Sequence, residues 1–128
     1  MTRFDAAEPE KRRALYADAI AAHRARASAF VTIEAAVDPD EGAIPWLQFA
    51  EGIVNVDCTE AELESLKALL EDYPAFSIDE LARPEEAEGV NVRIAARADD
   101  DRVAAALDAI FRSVYELDEG FTAWVVEV

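Results

Sequence analysis

The stretch Pro45-Trp-Leu-Gln-Phe-Ala-Glu-Gly-Ile-Val-Asn-Val-Asp-Cys58 decides the fold class. Apolar and polar residues alternate on either side of Glu51-Gly52, the signature of two strands joined by a tight turn. Leu47 and Phe49 share one face of the first strand; Val54, Val56 and Cys58 share one face of the second. At Thr59 the period changes. The Thr59 hydroxyl is placed to cap a helix while Glu62 reaches back to it, a capping box. Leu63, Leu66, Leu69, Leu70 and Tyr73 then recur at helical spacing until Pro74 ends the run. A hairpin that feeds directly into an amphipathic helix predicts a sheet with helices packed on it.

Upstream, Phe30–Val37 alternates as another strand, and Asp38-Pro-Asp-Glu-Gly42 reads as the turn that completes an antiparallel meander. Before the meander a helix is expected from Glu8 to Ala27, with Pro9 in its first turn. Leu15, Tyr16, Ala19, Ile20, His23 and Ala27 form its inner side. The N-terminus, Met-Thr-Arg-Phe-Asp, is polar and is expected to lead straight into that helix, without a signal peptide. Downstream, Ser77 with Glu80 is a second capping-box pattern, for a short helical turn carrying Ile78 and Leu81. After an acidic loop, Glu85–Glu88, comes a strand at Val90–Ala96. A third helix is capped by Asp99–Asp101 and carries Val103, Leu107, Ile110, Phe111 and Val114. Phe121–Val128 closes the chain as a strand that is apolar on both faces. The order is α-βββ-α-(α)-β-α-β. Strand, helix and strand in succession usually mark a crossover between parallel strands. The expectation is one α+β domain over residues 1–128, with a mixed five-stranded sheet and the helices mainly on one face.

Charge sets the solvent. The chain of 128 residues holds 28 acidic and 12 basic side chains, a net charge of −16, and only Lys11 and Lys67 among the basic ones are lysines. Such a charge repels itself in dilute salt and is screened in molar salt, where the Debye length is about 3 Å. The pattern suits a halophilic cytoplasm. Residues 1–26 carry a balance of +2 and the remainder −18, so half the positive charge lies on the first helix and the short segment before it. That helix either complements the acidic body or offers Arg12 and Arg13 to a partner. With no aromatic residue interleaved among these arginines, nucleic acid is not the expected partner. No apolar run approaches the roughly 18 residues of a membrane span.

Few residues are candidates for chemistry. Cys58, the only cysteine, precedes a helix N-terminus, where a thiol can become nucleophilic. With His23, the only histidine, it would make a Cys–His pair and mark a pocket between the first helix and the sheet. The competing structural reading makes Cys58 a small buried hydrophobe beside Val54 and Val56. Asp38, Asp40 and Glu41 lack the twelve-residue ligand spacing of a calcium loop, and the four glycines are isolated, so no phosphate loop is present. Neither a metal nor a cofactor is expected. Trp46 and Trp124 lie opposite the inward faces of their strands, where they serve either as buried support under the long first helix or as the anchors of a partner surface.

The stretch 45–58, with Ile78-Asp-Glu-Leu-Ala-Arg-Pro84 and Gly89-Val-Asn-Val-Arg-Ile94, resembles a small acidic haloarchaeal family of unknown function. The element order also resembles, more loosely, the type III secretion chaperone and YbjN-like fold, from which it departs by ending on a strand. Neither resemblance implies an activity. The reading is a non-catalytic interaction or regulatory module, self-associating as a homodimer through its sheet. One alternative is a small-molecule-binding domain or unrecognised enzyme with its pocket near Cys58 and His23. Another is a nucleic-acid- or ribosome-associated protein using the basic first helix.

Overall fold

A computed structural model describes residues 4–26, 30–36, 44–83 and 89–127. Among these the strands are β1 (Phe4–Ala6), β2 (Val31–Ala35), β3 (Trp46–Ala50), β4 (Ile53–Cys58), β5 (Phe76–Ala82), β6 (Val90–Ala96) and β7 (Ala123–Glu127). The helices are α1 (Pro9–Arg26), α2 (Glu60–Leu70) and α3 (Asp100–Ala109), the last continued by a π-helical turn at Ile110–Val114. No helix among the described residues is long and apolar enough to cross a membrane. The expected turn at 38–42 and the acidic run 85–88 lie outside the described residues.

The fold class is α+β as expected, but the sheet has seven strands rather than five, in the order β1-β7-β2-β3-β4-β6-β5. Every hydrogen-bonded pair is antiparallel, so the sheet is not mixed. The crossover argument held for direction and failed for adjacency. β4 and β5, joined through α2, both run opposite to β6 and hence parallel to each other, with β6 inserted between them. β1 and β2, joined through α1, are likewise parallel and separated by β7. These are split strand–helix–strand units.

Two strands were not legible. β1 has three residues, too few to show a period, and is held by pairing Phe4, Asp5 and Ala6 with Val125, Trp124 and Ala123. β5 occupies the place of the expected helical turn at Ser77–Leu81. Ile78 and Leu81 are three apart, which mimics helical spacing. A register shift between Ile78 and Glu80 instead brings both to the same face, opposite Ile94 and Val92. A bulge of this kind breaks the two-residue period, and a ladder along β6 satisfies more backbone than one capped turn could.

All the helices pack on one face. Val31, Ile33, Leu47, Phe49, Val54, Val56, Val92 and Ile94 point to it, and each is at most 2% exposed. They join Tyr16 and Ile20 of α1, Leu63 and Leu66 of α2, and Val103, Leu107 and Phe111 in one core. Thr59 caps α2 with the full capping box, and Asp99 caps α3 by accepting the Arg102 N–H at 2.9 Å. The β3–β4 hairpin turns through Glu51 (φ 50°) and Gly52 (φ 82°), the two positive dihedrals that a two-residue type I′ turn requires.

Candidate functional site

Arg12 is not a surface residue. It is fully buried, and its guanidinium grips Asp108 with both arms, Nε to Oδ1 at 2.8 Å and Nη2 to Oδ2 at 3.3 Å. Its remaining donor, Nη1, reaches the carbonyl oxygens of Ala7, Glu119 and Phe121 at 2.8, 2.6 and 3.0 Å. The Phe121 ring lies 4.1 Å beneath the guanidinium carbon. Tyr16 donates its hydroxyl to Asp108 Oδ1 at 3.3 Å, and burial, reinforced by the Asp108 charge, raises the Tyr16 pKa far above its usual value. This network ties α1 to α3 and to the approach to β7. The expectation that Arg12 meets a partner is therefore corrected: five hydrogen bonds inside the chain leave it nothing to offer outside. Its place was legible, because Arg12 continues the stripe of Tyr16, Ala19, Ile20 and His23 at helical spacing. Arg13, its neighbour, is half-buried and lines a shallow groove with Tyr73, Ala105 and Arg112.

Cys58 and His23 are not brought together. His23 packs edge-on against Phe49, centroids 5.7 Å apart, and its Nε2 accepts the Glu51 N–H at 3.5 Å. It thus sits at the turn end of β4, whereas Cys58 ends that strand, roughly 20 Å away at the rise of an extended chain. Cys58 is 4% exposed, and burial pushes its thiol up to about 11, with the charges of Glu62, Asp57 and Glu60 adding to the shift. A thiol so protonated is not an activated nucleophile. Burial is the main cause, and Glu62, which caps the helix N-terminus beside the thiol, adds to it.

Cys58 does border a cleft of about 470 Å³, though this lies at the end of the sheet and not beneath α1. Pro45 and Trp46 from the start of β3, Asp57 and Cys58 from the end of β4, and Thr59 and Glu62 from the start of α2 line it. Tyr115 and Leu117, which follow the π-helical turn, close the other side. The Tyr115 hydroxyl donates to the Asp57 carbonyl oxygen, and burial raises its pKa, assisted by the charges of Cys58, Glu62 and Asp57. Among the described residues no three His, Cys, Asp or Glu side chains gather as metal ligands.

Trp46 and Trp124 both lie on the sheet face away from the helices, in one cross-strand row that reads Asp5–Trp124–Glu34–Trp46. Each is half-buried. The next row is Glu127–Thr32–Gln48–Asn55–Arg93–Glu80, where Arg93 and Glu80 pair at 3.9 Å. The third is Ala50–Ile53–Ala95–Ser77. In a chain with 28 acidic residues, Thr32, Gln48 and Asn55 at the middle of the second row are uncharged.

The model of a family of unknown function, DUF7975, matches residues 1–128. The chain belongs to that family. Membership in DUF7975 extends over the whole domain, including both tryptophans and the cleft, and brings no activity with it. No curated protein and no solved structure matches the chain.

Proposed function

We propose that this DUF7975 chain is a non-catalytic interaction module that pairs with a second copy of itself through the open face of its sheet. The observation that carries the reading is the sorting of charge. Carboxylates crowd the outer sides of the helices (Glu60, Glu64 and Glu71 are all exposed), while the centre of the open face, Thr32, Gln48 and Asn55 with Ala50, Ile53, Ala95 and Ser77 in the adjoining row, holds no charged residue. Depletion of charge at the centre with aromatic residues beside it is the composition of a protein interface. A second copy is the partner that needs no separate complement, because a twofold axis sets the uncharged centre of one face against that of the other. The −16 of each chain opposes that meeting in dilute salt and is screened in concentrated salt. The charge and the preponderance of arginine support a salt-rich cytoplasm as the setting.

The burial of Arg12 weakens the nucleic-acid alternative, since Arg24 and Lys11 are also engaged, with Asp100 at 2.6 Å and Glu8 at 3.7 Å. Light scattering in molar KCl tests the module reading. The expected result is twice the monomer mass, returning to one chain mass in Gln48→Glu, which places a charge at the uncharged centre of the face. A strict monomer across the micromolar range in molar KCl overturns it.

A further inference from the structure

The helix side of the molecule carries a groove whose charge is opposite to that of the chain. Arg102, Ala105, Ala109 and Arg112 recur three or four residues apart along α3 and its π-helical continuation, and so share one outer face. Two adjoining clefts open along that face, with Tyr73 and Ala105 lining both. Arg13, Arg112 and Ser113 line the first, of about 460 Å³. Arg102, Asp72 and the apolar residues Pro74, Ala75 and Phe76 line the second, of about 550 Å³. From Arg102 to Arg112 the groove runs about 15 Å at the helical rise.

These arginines are set apart by having no acid of their own. Lys11, Arg12, Arg24, Lys67, Arg83 and Arg93 each pair with a carboxylate. Among the described residues Arg13, Arg102 and Arg112 pair with none, in a chain that holds 28 acidic residues. For Arg112 the reason is visible on either side. Asp108, four residues earlier, is taken by Arg12, and Glu116, four residues later, has left the helix with φ 55°. Arg112 donates its Nε to the Leu117 carbonyl oxygen at 3.0 Å, which is a neutral partner. Arg102 stands in the first turn of α3, where the helix dipole favours acids over cations.

We propose that this groove docks an acidic segment of a partner protein, with its carboxylates on Arg13 and Arg112 at one end and on Arg102 at the other, and an apolar side chain against Tyr73 between them. Charge complementarity names the occupant. The acids that line the groove are Asp72 and Asp108, and Asp108 is already neutralised by Arg12. The three arginines therefore leave a positive strip on a chain of net charge −16. Their planar forks suit carboxylates, which they can hold bidentately. About five residues of extended chain cover the distance, at roughly 3.3 Å each. A small anion would engage one end of the strip and leave the other. A nucleic acid would run beyond it onto exposed Asp101 and Glu116 and the acidic body around them. The groove lies on the helix side of the sheet, so it needs neither the open face nor a second copy of the chain.

The test is selection of a displayed library of random peptides, each about 12 residues long, on the whole chain in molar KCl, where diffuse attraction is screened. The peptides recovered should carry two or more acidic residues about four positions apart around an apolar one. Made synthetically, they should bind with a Kd of about 100 μM or tighter. Binding should weaken about tenfold in Arg13→Gln/Arg112→Gln and also in Arg102→Gln. Arg102 is exposed and its side chain bonds to nothing among the described residues, so Arg102→Gln reads the groove without disturbing the fold. Arg26→Gln, at the exposed end of α1, should leave binding unchanged.

A library that yields no binder overturns the proposal. So do binders that lack acidic residues, and so does equal binding to Arg102→Gln and the parent chain. Saturable binding of a short single-stranded oligonucleotide that the same variants abolish would assign the groove to phosphates and overturn it as well. Light scattering on the same samples keeps the two readings apart, because a monomer that binds the selected peptides overturns only the dimer.

Discussion

Arg12 and Cys58 carry the two residue-scale lessons: each bears a group that chemistry could use, and each is placed where it cannot be used. Arg12 is held by Asp108 and three carbonyl oxygens with no access to solvent. Removing one member of a buried pair strands the other, so Arg12→Met should cost about 3–5 kcal/mol in urea unfolding. A loss below about 1 kcal/mol, the range of exposed pairs, would contradict the burial. For Cys58 the sign of the pH effect follows from its raised pKa. The unfolded thiol releases its proton near 9 and the folded one near 11. Between those values the folded state holds the extra proton, so stability is fully present below about pH 9 and falls as pH rises toward 11. Urea midpoints at pH 8 and 10.5 should show that fall, and Cys58→Ala should reduce it. Equal slopes in the two proteins would mean that the thiol is solvated.

At the scale of elements, local rules and long-range pairing divided the chain between them. The α2 capping box and the β3–β4 hairpin formed as their own residues dictate, within stretches of a few residues. The hairpin retains one misfit: Glu51 sits at φ 50°, a left-handed conformation that asparagine tolerates better than glutamate. Glu51→Asn should therefore stabilise the protein by about 0.5 kcal/mol, read as a higher urea midpoint. A lower midpoint would show that the Glu51 side chain supports the turn. β5 went the other way. Its Ser77 and Glu80 satisfy a capping pattern, yet seven residues laid along β6 outweigh one helical turn. β1 exists only because β7 offers it an edge.

On the scale of the molecule, charge is the dominant quantity. With −18 over residues 27–128 against +2 over residues 1–26, repulsion within the body is long-ranged in dilute salt. Thermal melts from about 0.1 M to molar KCl should show a rising melting temperature. A flat or falling curve would mean that local pairs such as Arg24–Asp100 and Arg83–Glu60 already offset the repulsion. The two surfaces of interest, the uncharged centre of the open face and the cleft beside Cys58, exist only at this scale. Both are assembled from strands and helices distant in the chain.

By itself the sequence determined the α+β class, the meander, the three helices, the inward faces of their strands and the net charge of −16. Those properties follow from period, capping and composition, which act between near neighbours. The tertiary structure alone decided the strand order, since a strand's partner depends on which edges are free once the helices have packed. It also took Arg12 from the surface into the core, because Asp108 and the carbonyl oxygens that satisfy it lie about a hundred residues away along the chain or in a neighbouring loop. And it parted Cys58 from His23 while setting Trp46, Asp57, Glu62 and Tyr115 around one cleft. Proximity of that kind is produced by pairing register and packing, quantities that no local pattern encodes.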